Sequence, residues 1–264
     1  MKESPVDSLF DLKGKIALVT GGSGHLGSAM SEALSEAGAQ VIIASRDEKK
    51  CLEMAKKLSN SGIGMKLDIT DDKSVADCFS NIKSKFGKLD ILVNNAVEFV
   101  SGKLLEMNPR DFNRSLDVAV TGVFRMIQAA IPIMQDEDKG GASIINIASM
   151  YGIVSPDFRN YANQPEAENP PSYGAAKAGV IQLTKYAACK LAPLNIRINS
   201  VSPGAFPDEK KNSPDFIRQL ASRTPMNRIG KPWELKGVVV FLAGKASTYI
   251  TGQNIVIDGG WTVW

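Results

Sequence analysis

The stretch PPSYGAAKAG, residues 170–179, carries Tyr173 and Lys177 four positions apart, and KYAACK, residues 185–190, repeats that spacing at Tyr186 and Lys190. On a helix, residues i and i+4 share a face, so a lysine ammonium can stand beside a phenol and lower its pKa from about 10 toward neutrality. A phenol so poised can give or take a proton near neutral pH. The same spacing also arises on ordinary solvated helix faces, so neither pair establishes chemistry by itself.

What positions these pairs is a run of alternating elements. Short apolar stretches, KIALVT (15–20), QVIIAS (40–45), GMKLDIT (64–70), LDILVNNA (89–96), ASIINIAS (142–149), IRINSVSPG (196–204) and QNIVIDGG (253–260), are separated by segments of helical periodicity. The first helix is closed by Gly38, another opens on Asp71, a helical region runs to about 136, a long helix covers about 172–193, and two more lie near 215–223 and 232–243. Strands that are apolar on both faces and separated by helices imply a parallel sheet covered on both sides. The right-handed crossover rule then makes the α/β class with a doubly wound, Rossmann-type sheet the simplest topology, in a single domain over 1–264. The connection 150–172 is long and rich in Asn, Pro and Glu, which marks a recognition loop, and 205–228, opening AFPDEKKNSPD, reads as a substrate lid.

Composition narrows the function. The chain has 31 basic and 28 acidic residues for a net charge of +3, so no single-sign field invites nucleic acid or an anionic membrane. Cys51, Cys78 and Cys189 are scattered and His25 is the sole histidine, so neither a metal site nor a disulfide framework is expected. MKESPVDSLFDLKGK lacks the apolar core of a signal peptide, and no apolar run approaches the roughly 18 residues of a spanning helix. A soluble cytoplasmic protein is expected.

VTGGSGHLG (19–27) lies where the first strand meets the first helix, and Gly22, Gly24 and Gly27 match G-x-G-x-x-G. Glycines there allow a tight turn, close approach of a pyrophosphate to backbone N–H groups, and tight packing of helix on strand. A turn that merely joins two elements is the alternative. At the end of the second strand stand Ser45 and Arg46; an Arg fork suits a 2′-phosphate, which favours NADP over NAD, unless Arg46 is simply a solvated loop residue.

Together these residues resemble the classical short-chain dehydrogenase/reductase family, from about residue 12 to 262. The resemblance rests on TGGSGHLG, NNA at 94–96, Ser149 ending NIAS, YGAAK at 173–177, SPG at 202–204 and the closing TGQNIVIDGG. It implies catalysis by Ser149, Tyr173 and Lys177. Tyr173 would exchange a proton with the substrate oxygen, Lys177 would lower the phenol's pKa and hold the nicotinamide ribose, and Ser149 would hydrogen-bond the developing charge. It implies cofactor contacts at Gly21, Ser23, Gly24, His25, Leu26, Ser45, Arg46, Asp68, Ile69, Asn95, Ala96, Tyr173, Lys177, Pro203, Gly204 and Phe206. Tyr186 lies roughly 140° around the helix from Tyr173 and is left to packing or an oligomer contact.

Departures from the family pattern are equally legible. His25 and Val97 each stand where glycine is usual, and Val97 is expected to narrow the floor near the nicotinamide. Ala119 replaces an asparagine that holds a water in the family's proton relay; Asn113 and Asp117 lie about 120° or more away on a helix and are not expected to substitute. The interval between Ser149 and Tyr173 is longer than is typical, resembling insertions in short-chain dehydrogenases of bacterial surface-sugar pathways. That likeness implies a polar or sugar-derived substrate, with Arg159, Asn160 and the loop's tyrosines over the pocket. The expected function is interconversion of a secondary alcohol and a ketone with NAD(P), as a homotetramer or dimer. A 3-oxoacyl thioester reductase and a catalytically impaired nucleotide-binding regulatory or structural subunit are the alternatives.

Overall fold

The computed structural model describes residues 5–135, 141–161 and 168–264. After a short α1 (Val6–Leu9), which no pattern in the sequence announces, strand and helix alternate: β1 (Ile16–Thr20), α2 (His25–Glu36), β2 (Gln40–Ser45), α3 (Glu48–Ala55), β3 (Ile63–Lys66), α4 (Asp72–Phe86) and β4 (Ile91–Asn94). Then come α5 (Pro109–Leu116), a π turn (Asp117–Thr121), α6 (Gly122–Met134), β5 (Ala142–Ile147), α7 (Pro171–Leu191), β6 (Ile196–Pro203), α8 (Pro214–Ser222), α9 (Lys236–Ala243) and β7 (Asn254–Ile257).

The strands form one parallel sheet in the order β3-β2-β1-β4-β5-β6-β7. Every residue of β1, β4 and β5 is buried, whereas the edge strands β3 and β7 are only partly covered. That is the burial expected of a sheet packed on both faces. One core joins Leu18, Leu92 and Ile144 to Ile82, Met126 and Val180 of α4, α6 and α7. The other joins Val19, Val93 and Ile145 to Leu34, Met54 and Val239 of α2, α3 and α9. Because β2 and β4 flank β1 on opposite sides, the chain reverses direction there, and a crevice opens above the carboxyl ends of these strands.

Helix boundaries follow their caps. The side chains of Asp47, Asp71, Asn108 and Ser213 accept first-turn N–H groups, and Gly87 closes α4 in the left-handed region at φ 73°. The third strand stops at Lys66, short of the expected Thr70, because Asp68 accepts from the Thr70 N–H at 2.9 Å and its hydroxyl at 2.7 Å and turns the chain. The helical region 109–134 is long and apolar enough to cross a membrane, yet Met126, Ile127 and Ala130 lie in the core and Arg125 is ion-paired with Asp72 and Asp117. Residue 136, the expected end of that region, and 162–167 of the long loop lie outside the described residues.

Candidate active site

The glycine turn is built from behind. The Thr20 hydroxyl accepts from the N–H groups of Asn95 (2.9 Å) and Ala96 (3.0 Å), while the Asn95 amide donates to the carbonyls of Thr20 and Gly21, both at 3.1 Å. Gly21 turns the chain at φ 63°, a left-handed conformation that glycine adopts without strain. At Gly27 a Cβ would stand 2.1 Å from the Gly21 carbonyl oxygen, so only glycine lets α2 sit this close to β1. Gly24 caps α2 with no side-chain acceptor, leaving the positive helix end beside Ser23, His25 and Leu26 open to an anion. These features fit a dinucleotide pyrophosphate. The partly exposed Asn95 supports the turn from β4.

Beside the turn lies a cavity of about 130 Å³ lined by Gly21, Ser45, Arg46, Asp68, Ile69 and Ala96 among others. The Thr70 hydroxyl holds the Asp68 carboxyl below its ordinary range against the opposing effect of burial, with the Arg46 charge nearby. Val97, 51% exposed, lines this same cavity. Its neighbours on that lining include Arg46, Asp68 and Glu98. Glu98, also on this wall, ion-pairs with Arg46 at 2.6 Å.

Ser149 follows β5, and Tyr173 sits in the first turn of α7, which begins with Pro171 at a position where a missing N–H costs nothing. The Ser149 Oγ accepts from the Tyr151 N–H at 3.1 Å. Burial pushes the Tyr173 phenol above its ordinary pKa, and the Ser149 side chain, within hydrogen-bonding reach, pulls it back. One turn on, the Lys177 Nζ lies 5.9 Å from the Tyr173 ring centre and donates to the Ile147 carbonyl at 2.8 Å. Burial lowers the Lys177 pKa to about 8. The expected lowering of the phenol by Lys177 is not seen in this arrangement, where burial dominates Tyr173.

A second cavity, of about 310 Å³, opens in front of Ser149 and Tyr173, with Gly204 and Phe206 beyond the end of β6 and Phe216 of α8 on its walls. Pro203 is the buried last residue of β6. Polar groups enter this cavity from Tyr151, Tyr161, Asn169 and Asn212. The Asn169 amide donates to the Tyr161 hydroxyl at 2.6 Å, and the Tyr151 and Tyr161 hydroxyls lie 3.4 Å apart. Arg159 and Asn160 do not join them. Arg159 turns out to Asp157, which it grips through two hydrogen bonds of 2.8 Å, and Asn160 is buried outside the cavity lining. The Gln219 amide ties the Arg159 carbonyl to α8 at 2.9 Å, joining the long loop to the 205–228 segment.

Ala119 is buried in the π turn, so the α-helical step assumed for its neighbours does not hold there. Asp117 is nonetheless committed to Arg125 at 3.1 Å, and Asn113 is exposed. Tyr186 is 64% exposed and lines neither cavity. Sequence reasoning missed Phe99, whose ring centre lies 4.5 Å from that of Tyr173, and Glu98. It also missed a buried chain from Asn94 through Asn146 to Thr184, each link 2.9 Å, that ties β4 to β5 and β5 to α7. Polar residues inside the apolar runs DILVNN and IINIAS were the available signal for this last feature.

A parallel sheet with a glycine turn at its reversal point and a Ser, Tyr and Lys group at the neighbouring strand ends defines a nicotinamide-dinucleotide oxidoreductase of the Rossmann class. A family model described as enoyl-(acyl carrier protein) reductase matches residues 23–262. The chain is 35% identical over 257 residues to trans-4-hydroxycyclohexanecarboxylate dehydrogenase of Sinomonas cyclohexanicum, covering 94% of this chain and 93% of that protein. It is 35% identical over 254 residues to the 3-oxoacyl-[acyl-carrier-protein] reductase FabG of Thermotoga maritima, covering 94% and 98%. Among solved structures, a short-chain type dehydrogenase/reductase from Mycobacterium marinum superposes with a TM-score of 0.89 at 36% identity over 98% of this chain and all of that one (100%). The Pseudomonas aeruginosa RhlG/NADP active-site complex does so with 0.87 at 32% identity over 96% and 98%. The chain belongs to the short-chain dehydrogenase/reductase family and is an NAD(P)-dependent oxidoreductase acting on CH–OH and C=O groups.

Proposed function

We propose that this enzyme interconverts a secondary alcohol and a ketone on a polar, ring-type or polyhydroxylated molecule, with NADP preferred over NAD. The observation that carries the reading is Tyr173 held between Ser149 and Lys177 at the mouth of a cavity lined by Tyr151, Tyr161, Asn169 and Asn212. The bound nicotinamide supplies a hydride to the carbonyl carbon or takes one from the alcohol carbon. Tyr173 gives the carbonyl oxygen its proton in reduction and removes it in oxidation. The Ser149 hydroxyl donates to that oxygen as negative charge develops. Lys177 holds the ribose hydroxyls and, once its ammonium meets them and the ionising phenol, offsets the burial that raises the Tyr173 pKa.

Gly21, Ser23, Gly24, His25 and Leu26 would hold the pyrophosphate at the end of α2, Asp68 and Ile69 the adenine, and Ser45 with Arg46 the ribose and its 2′-phosphate. Ala96, Pro203, Gly204 and Phe206 would close around the nicotinamide half. With Ala119 unable to bind water through its side chain, the proton would leave Lys177 through water held by backbone carbonyls, while the Ile147 carbonyl anchors the ammonium. The 205–228 segment would act as the lid. A cytoplasmic, reducing location is supported by three free thiols, two of them buried. Homo-oligomer formation is supported by exposed apolar side chains on α6 and α7.

The ring-alcohol relative supports a cyclic hydroxylated substrate, whereas FabG supports a 3-oxoacyl thioester as the second reading. Side-by-side rates with NADPH decide: hydroxylated cyclic ketones are expected to turn over well above acetoacetyl thioester, and the reverse ranking would transfer the assignment to the thioester.

A further inference from the structure

The cavity beside the glycine turn contains an ion pair that the proposed chemistry does not use. Arg46 Nη1 lies 2.6 Å from one Glu98 carboxylate oxygen, and Arg114 Nη2 of α5 lies 3.5 Å from the other. Arg46 follows β2 and Glu98 follows β4, with β1 between them in the sheet. Strand ends two positions apart are separated by roughly 10 Å, a gap that a fully extended arginine can close. Arg46 and Glu98 both line the cavity, so their contact bridges its two walls.

Where the 2′-phosphate of NADP would meet Arg46, the guanidinium is already engaged by a carboxylate. We infer that Glu98 is a cofactor-specificity residue, which competes with the 2′-phosphate for the Arg46 guanidinium and opposes a second anion beside it. The inference rests on the reading of Arg46 as the phosphate partner. The competition is winnable, because the Arg46 side chain is 62% exposed and that of Glu98 33%, and an ion pair in contact with water is weak. A phosphate offers the guanidinium more charge and the same two-pronged geometry. When it does so, Glu98 is not stranded, since Arg114 already stands on its other oxygen. NAD brings no phosphate to this position and leaves the pair intact.

Dissociation constants of NADPH and NADH, measured by fluorescence titration of the full chain, test this with Glu98→Gln and Arg46→Ala. Glu98→Gln is expected to tighten NADPH about threefold to fivefold, the scale of an exposed ion pair released from competition, and to leave NADH within about 1.5-fold. Equal effects on the two cofactors, or no gain for NADPH, would overturn the role of Glu98. If Arg46→Ala at the same time weakens NADPH selectively, the phosphate reading of Arg46 stands and only the competition fails. If Arg46→Ala leaves NADPH binding unchanged, both fall.

Discussion

Lys177 is the side chain at which structure and chemistry conflict most openly. Burial depresses its pKa to about 8 from 10.5, so between those values the unfolded chain binds more protons than the folded one. Stability should therefore rise with pH across 8 to 10.5, and below pH 8 the buried ammonium imposes its full cost, on the order of 3 kcal/mol. Lys177→Met removes that cost together with the bond to the Ile147 carbonyl, worth about 1 kcal/mol. The variant should unfold in urea with about 1–2 kcal/mol more stability at pH 7, lose that advantage toward pH 10, and lose turnover. At Arg46, replacement by alanine should weaken NADPH by about 1–3 kcal/mol and spare NADH. Tyr173 and Lys177 were legible in the sequence because their spacing acquires meaning from the glycine turn and from Ser149. Glu98 and Phe99 were not, since each acts through a neighbour far along the chain and lies in a loop without periodicity.

Among the elements, the union of β1 with α2 bears the strictest geometric demand. A methyl at Gly27 would meet the Gly21 carbonyl at 2.1 Å, and that carbonyl is held in place by the Asn95 amide at 3.1 Å. Gly27→Ala should cost about 3 kcal/mol and abolish dinucleotide binding, as read by thermal unfolding and NADPH titration. Gly237, on α9 with open space around its missing Cβ, provides the contrast: Gly237→Ala should be neutral or gain about 0.5–1 kcal/mol. The strands were readable because burial on both faces leaves unbroken apolar runs, and the helices because Asp47, Asp71 and Gly87 mark their ends. The π turn at Asp117–Thr121 was not readable, because Ala119 and its neighbours have the same residue types as an ordinary helix.

For the molecule as a whole, the parallel sheet brings two separate features to one edge: a glycine turn after β1 and, after β5, Ser149 with Tyr173 beside it. The helices that cover the acid–base side also carry exposed apolar groups, with Phe124 44% and Tyr186 64% exposed. Assembly through α6 and α7 should therefore appear in sedimentation as a dimer or tetramer, and the double substitution Phe124→Lys with Tyr186→Lys should shift it toward monomer. The central claim concerns Tyr173. Initial rates of NADPH oxidation with hydroxylated cyclic ketones should fall about 10²–10⁴-fold in Tyr173→Phe while NADPH binding persists; full turnover by that variant would contradict the account.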